Sequence, residues 1–140
     1  SCNHCAEPAC LPVCPTGAIF KRKDNGVVDI DSTLCIGCRK CEAACPFGAP
    51  QFNVELNIVQ KCNMCIDELE AGRKPYCVSA CMMRVLDIGP IDQIDAGSYE
   101  TKAIGPNDQT VRQVKSMADP ELTNPSIRFV PHSKGRVDND

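Results

Sequence analysis

Cys35-Ile-Gly-Cys38-Arg-Lys-Cys41-Glu-Ala-Ala-Cys45-Pro46 is the stretch on which the fold turns. Three cysteines fall at i, i+3 and i+6, a fourth follows at i+10, and a proline comes directly after it. Working outward, a related run lies upstream: Cys2-x2-Cys5-x4-Cys10-x3-Cys14-Pro15. A third lies downstream, Cys62-x2-Cys65-x11-Cys77-x3-Cys81, with Met82 in place of the proline. The first two runs form an internal repeat. Adding 31 carries Cys10 to Cys41 and Cys14 to Cys45, while adding 33 carries Cys2 to Cys35 and Cys5 to Cys38. The copies differ by two residues, within His4–Pro8 or nearby. A repeat of about 30 residues built on ligand groups is a duplicated metal-binding unit, too short for a solenoid.

Composition agrees that apolar packing is not the main glue. The chain has 140 residues, 12 of them cysteine, with aromatics at 4%, no Trp, 11 Pro and 9 Gly. This length allows one domain, with or without a tail, but this composition cannot build a large aromatic core. The net charge of −3 gives no sign of a nucleic-acid or anionic-membrane surface. No run approaches the 18 or so apolar residues of a membrane span. The chain opens at Ser1 without a start Met or an apolar leader, so a processed product or a fragment is expected.

Disulfides, zinc and iron–sulfur clusters compete for the cysteines. Disulfides are permitted by the even count, but Cys-x-x-Cys-x-x-Cys crowds three sulfurs into one turn, where bridging is strained. Zinc uses pairs of Cys-x-x-Cys from two loops and has no use for this spacing. An iron–sulfur cube does: one loop wraps three corners and the fourth ligand comes from elsewhere. The second run is the bacterial ferredoxin pattern, whose fourth cysteine ligates the other cluster of a pair. Cys41 and Cys45 are i, i+4, which on a helix separates them by about 6 Å along the axis. Pro46 then stops that helix, and the same reasoning covers Cys10, Cys14 and Pro15. The expected sets are Cys2, Cys5, Cys10 and Cys45 for one cube, and Cys35, Cys38, Cys41 and Cys14 for the other. Twelve cysteines thereby become ligands, so folding and metal loading should be linked.

Around these runs, Ala18–Lys21 and Val27–Ile30 flank Asn25-Gly26 and predict a hairpin with an Asn-Gly turn. Ile58–Lys61 and Val85–Ile88 predict the equivalent strands of a second unit. Residues 66–72 have helical spacing and end on Gly72, and Pro75 suits the first turn of a helix carrying Cys77 and Cys81. The fold class is therefore α+β: a ferredoxin-like double-cluster [4Fe–4S] domain with short hairpins and short helices, plus an extended C-terminal tail. Residues 1–91 form the cluster domain, with 1–57 a two-cluster unit and 58–91 half of a second. Residues 92–140 lack cysteine and predict the tail, laid across a partner in preference to disordered, with Ile127, Phe129 and Val130 as apolar anchors. Val111–Met117 could supply one or two helical turns.

Among other residues, His4 reads as a packing or supporting histidine, since each group already supplies four cysteines, and His132 as a solvated one. Arg39 and Lys40 are either cations that favour the reduced cluster or plain surface charges. Met82 and Met83 read as core gap-fillers. Gly37 and Gly48 read as sites of close backbone approach to a cluster. No nucleophile–base pair, phosphate loop or readable carboxylate pair is present, so no catalytic residue is assigned.

These residues also carry a family resemblance. The first two cysteine runs, Cys45-Pro-Phe-Gly-Ala-Pro50, Lys61-Cys62-x2-Cys65 with Cys77-x3-Cys81, and Gly89-Pro-Ile-Asp92 resemble the iron–sulfur subunit of anaerobic dimethyl sulfoxide reductase. More broadly they resemble the electron-transfer subunits of molybdopterin oxidoreductases. Asn124-Pro-Ser-Ile-Arg-Phe-Val-Pro131 extends the likeness into the tail. The resemblance implies electron flow from a quinol-oxidising membrane anchor subunit, through [4Fe–4S] clusters, to a molybdopterin catalytic subunit in anaerobic respiration. It implies a location peripheral to the cytoplasmic membrane through those partners, on a side left open, with no membrane span and no nucleic acid.

In that family another cysteine group precedes the one at Cys2 and exchanges ligands with the group at Cys62–Cys81, so this chain resembles a C-terminal fragment. Cys62, Cys65 and Cys77 would then wrap a third cluster lacking its fourth ligand, with Cys81 directed at an absent one. The alternatives are a soluble polyferredoxin or hydrogenase- or formate-linked carrier and, from another class, a zinc-binding structural protein.

Overall fold

The computed structural model describes residues 1–99, 109–114 and 117–130. These fall into two units. The first comprises the described residues of 1–64 and 117–127, the second those of 65–116 and 128–140.

In the first unit, strands β1 (Ile19–Lys21) and β2 (Val28–Ile30) pair antiparallel with Ile19 opposite Ile30. Helix α1 covers Lys40–Ala44, and strands β3 (Gln51–Asn53) and β4 (Ile58–Gln60) pair with Phe52 opposite Val59. A 3-10 turn, Pro120–Leu122, lies in the C-terminal segment, its start capped by the Asp119 carboxylate, which accepts from the Glu121 N–H. The core is small: Cys10, Ile19, Val28, Cys41 and Val59, with Leu11, Ile30 and Phe52 packed around them. Two of those five buried residues are cysteines, so the thiols are part of the packing.

The first hairpin forms where the sequence puts it, but the turn is longer than two residues. Arg22 N–H donates to Val27 O at 2.8 Å and Gly26 N–H donates to Arg22 O at 3.1 Å, with Gly26 at φ +71. The Asn25 side chain closes the loop by accepting from Val27 N–H at 3.0 Å. The second hairpin differs from expectation. Ile58–Gln60 is a strand, but its partner is Gln51–Asn53; Val85–Ile88 forms no strand. The turn between β3 and β4 is organised by Asn53, whose side chain accepts from Glu55 N–H and Leu56 N–H, a local signal that hydrophobic alternation does not register.

Helix α1 ends as predicted. Cys45 closes it with its N–H on Cys41 O and then turns extended, φ −80 and ψ 114, as the residue before a proline must. Cys10–Cys14 departs from the expected helix and is a chain of turns, with Leu11 N–H on Pro8 O and Cys14 N–H on Leu11 O. Pro12 explains the difference: it has no N–H and excludes Leu11 from the helical region.

The second unit holds α2 (Ile66–Glu70), α3 (Tyr76–Ser79) and α4 (Ile91–Asp95). Gly72 follows α2 at φ +71, the left-handed stop that glycine permits. Pro75 caps α3 rather than lying within it, and Cys77 is on that helix while Cys81 lies beyond its end. Polar contacts dominate this unit. Arg128 grips Asp95 through two bonds of 2.5 and 2.6 Å, and Arg73 grips Glu68 through two of 2.6 and 2.9 Å. Met82 and Met83 are 92% and 81% exposed, which corrects their reading as core fillers: they follow the end of α3, where no core element faces them.

The tail has more structure than sequence texture suggests. It contributes helix α4, and Val111 makes an isolated antiparallel bridge with Phe129; of the expected helical turns over Val111–Met117, residues 111–114 hold none, and 115 and 116 lie outside the described residues. Residues 123, 124 and 126 are hydrogen-bonded to the first cysteine loop of their own chain. His132 and Pro131 lie outside the described residues. No helix among the described residues is long and apolar enough to cross a membrane.

Candidate metal centre

Each cysteine loop begins with the same bend. The residue before the second cysteine has positive φ in all three groups: His4 at 42, Gly37 at 67 and Met64 at 63. In the first and third groups this bend aims a backbone N–H at the leading sulfur, His4 N–H to Cys2 Sγ at 3.5 Å and Met64 N–H to Cys62 Sγ at 3.4 Å. The leading sulfur of the second group accepts instead from Val59 N–H on β4, at 3.4 Å. Such bonds favour the thiolate and any negative charge shared with it.

In the first unit eight cysteines gather as two fours. One cavity is lined by Cys2, Cys5 and Cys10 together with Cys45, carried in by the end of α1. Another is lined by Cys35, Cys38 and Cys41 together with Cys14. In each, three sulfurs come from one loop and the fourth from the other repeat.

The first cavity is fastened by two lysines. Lys21 Nζ donates to the carbonyls of Cys5 and Ala6 at 2.8 and 3.1 Å, and Lys61 Nζ donates to Val28 O and Cys62 O. Both sites on Lys61 are backbone carbonyls, yet its charge also lies along the cavity wall. His4 packs beneath the loop at 2% exposure, its Nδ1 accepting from Val28 N–H at 3.1 Å, so the proton is on Nε2. Burial, with the positive charge of Lys61, pushes His4 down to about 4 and keeps it neutral. It is a supporting residue, as its sequence context suggests. At the second cavity Arg39, itself at φ +62, forms an ion pair with Glu42 at 2.7 Å and stacks 5.2 Å from the Phe52 ring.

The glycines act differently from one another. A Cβ on Gly37 would lie 2.5 Å from Asn57 O, so close approach there is to the β3–β4 turn. Gly48, at φ +60, has open space around it and is needed for its backbone angle alone.

The thiols themselves test whether a cluster would fit. Burial pushes Cys10 up to about 11, and the neighbouring Cys2 and Cys45 push in the same direction. Burial likewise raises Cys2 and Cys41, the latter with Cys35 and Cys38 adding to it. Cys14 is the exception. Slight burial opposes it, but the Thr16 hydroxyl and the N–H groups of Ile19, Thr16 and Ala18 hold it low. Buried thiolates that repel one another ionise together only around compensating cations. Among the described residues, no three His, Cys, Asp or Glu side chains converge on a single-ion site. Three sulfurs from one loop and a fourth from the other repeat match the ligand pattern of a multi-metal cluster better than that of one zinc ion. No disulfide is present among the described residues.

The third group is placed less fully. Cys62 belongs to the first unit and Cys65, Cys77 and Cys81 to the second. Cys65 adopts φ +49 at the start of α2, Cys77 is exposed, and backbone N–H groups of Val85 and Leu86 hold the Cys81 thiol low.

One residue with a place in the first cavity escapes sequence reasoning. Thr123 lines it from the C-terminal segment. A single threonine in a polar stretch carries no signal of such a position.

Relatives carry the same pattern. The chain is 41% identical over its whole length to the B subunit of anaerobic dimethyl sulfoxide reductase from Escherichia coli (strain K12), covering 63% of that protein. It is 39% identical to the Haemophilus influenzae subunit of the same name, again over 63% of that protein. Over 94 residues, 66% of the chain and 48% of the relative, it is 46% identical to the thiosulfate reductase electron transfer subunit PhsB of Salmonella typhi. The chain thus spans less than two thirds of the curated relatives it matches. The pattern of the 4Fe-4S dicluster domain runs from residue 1 to residue 91, through all three cysteine groups, and on that ground the chain belongs to the 4Fe-4S dicluster family.

Proposed function

We propose that this chain is an electron-relay subunit in which Cys2, Cys5, Cys10 and Cys45 hold one [4Fe–4S] cluster and Cys14, Cys35, Cys38 and Cys41 hold another. The observation that carries this is the pair of cavities, each lined by four cysteines with one contributed by the other repeat. Bound there, the clusters supply one-electron reduction and reoxidation. The chain fixes the loops and directs N–H groups at sulfur. Helix α1 carries Cys41 and Cys45 at opposite ends of one turn, so it spans the two cavities and keeps them neighbours, as a relay requires. Lys61 puts positive charge beside the first cavity, which favours the reduced state there.

The names of the relatives extend the reading: the relay serves a multi-subunit reductase, and the family resemblance of the cysteine runs makes the electron acceptor a molybdopterin catalytic subunit. A membrane anchor subunit that oxidises quinol completes it, with this chain peripheral to the cytoplasmic membrane through its partners. Residues 1–91 act as the cluster domain.

Anaerobic reconstitution with iron and sulfide counting tests the ligand sets. About eight irons per chain fits two cubes, about twelve adds a third, and fewer than four contradicts the reading. Cys45→Ser should damage the cluster wrapped by Cys2, Cys5 and Cys10 and spare the one wrapped by its own loop. Loss of the opposite cluster would refute the exchange.

A further inference from the structure

Residues 123–126 are strapped across the first cysteine loop by backbone and side-chain bonds. Ala6 N–H donates to Asn124 O at 2.8 Å, and Glu7 N–H donates to Thr123 O at 3.1 Å. Ser126 N–H donates to Asn3 O at 3.0 Å, and the Ser126 hydroxyl donates to His4 O at 2.8 Å. Four bonds to residues 3, 4, 6 and 7 fix the strap over the loop between Cys2 and Cys10. The strap positions one side chain with care. Thr123 is 2% exposed, lines the cavity of Cys2, Cys5, Cys10 and Cys45, and has no hydrogen-bond partner for its Oγ1 among the described residues.

A buried hydroxyl without a partner is unfavourable, and native folds rarely keep one. Thr123 has one proton to donate, and the cavity that the residue lines is walled largely by sulfur and apolar carbon. Sulfur accepts weakly when neutral and well when it carries the charge of a thiolate or cluster. The strap therefore lacks a partner of the kind that a cluster in this cavity would bring.

We propose that Thr123 is a potential-setting residue: its hydroxyl donates to a sulfur of the cluster in the first cavity, and the strap forms that cavity's last wall. The inference rests on the ligand set proposed above for that cavity. One electron from the reductant of the titration would add one negative charge to a cluster held there, while no bond of Thr123 would break and the proton would stay on Oγ1. The hydrogen bond strengthens with that charge, so it favours the reduced state and raises the potential of this cluster alone.

The test uses the full chain, reconstituted anaerobically, with redox titration followed by electron paramagnetic resonance. Cys45→Ser first identifies which signal belongs to the first cavity. Thr123→Val keeps the shape and removes the hydroxyl; it should retain the iron content, lower the potential of the first cluster and leave the second unmoved. Thr123→Ser should keep the unaltered potential. If the valine variant loads poorly, Thr123→Ala is read in its place, against the same serine control. Full iron with both potentials unmoved would overturn this inference alone. Fewer than four irons in the unaltered chain would overturn the ligand sets with it, before any Thr123 variant is made.

Discussion

Ala6 donates its backbone N–H to the carbonyl of Asn124 at 2.8 Å, tying the loop of the first cysteine group to a segment from the far end of the sequence. The loop itself contains little regular structure: residues 1–18 hold neither helix nor strand. Its geometry comes from three outside anchors, namely the strap, the Lys21 ammonium and the bond from Val28 to His4.

A chain ending at residue 116 should therefore lose the first cluster before the second. Iron analysis after reconstitution should fall to about four per chain, the content of one cube. Retention of both clusters with unchanged thermal stability would show that the strap does not hold the loop.

His4→Phe keeps a ring in the buried position but removes the acceptor of Val28 N–H. A buried amide left without a partner costs roughly 1–3 kcal/mol. Denaturant unfolding of the reconstituted chain should show a loss in that range. A change well below it would mean that Val28 N–H finds another acceptor.

Gly37→Ala and Gly48→Ala separate two effects that the sequence cannot tell apart. Both positions have positive φ, a strain of about 1–2 kcal/mol for a residue with a Cβ. Only Gly37 adds a clash, with Asn57 O. Its substitution should lower the melting temperature clearly further than that of Gly48, and equal shifts would contradict the close approach.

Arg73, and after it the Tyr76 hydroxyl, hold the Glu68 carboxyl down to about 2 from 4.5. A lowered carboxylate contributes stability that is complete above its unfolded value near 4.5 and is lost as pH falls through about 2. The carboxyl carbon shift of Glu68 in nuclear magnetic resonance should stay flat down to about pH 4. Tyr76→Phe and Arg73→Met should each bring its titration back upward. Midpoints unchanged in both variants would remove this cause.

What the sequence carries most legibly is the grouping of the cysteines, because the spacing of sulfurs is nearly a geometric drawing of the loops that bear them. The exchange of Cys45 and Cys14 between the two cavities follows from that spacing and from Pro46. The turns at Cys10–Cys14 are hidden because the repeat invites one conformation for both copies, whereas Pro12 has no counterpart at Ala43. Strand β3 escapes notice because Gln51-Phe52-Asn53 presents one apolar residue between two polar ones, too short a pattern to stand out. Met82 and Met83 read as core from their chemistry alone, yet their surroundings leave them in solvent. Thr123 lies beyond any local reading, since its position depends on a pairing across more than a hundred residues.

The strap also sets an order of manufacture. Chains emerge from the ribosome amino end first, and early segments begin to fold while later ones are still being made. Cys2, Cys5, Cys10 and Cys45 are thus exposed to the cell long before Thr123 exists. Through that interval the first cavity lacks the wall that Thr123 supplies. The closing residues arrive late, so the wall at Thr123 can form only after all four cysteines of the cavity have been made.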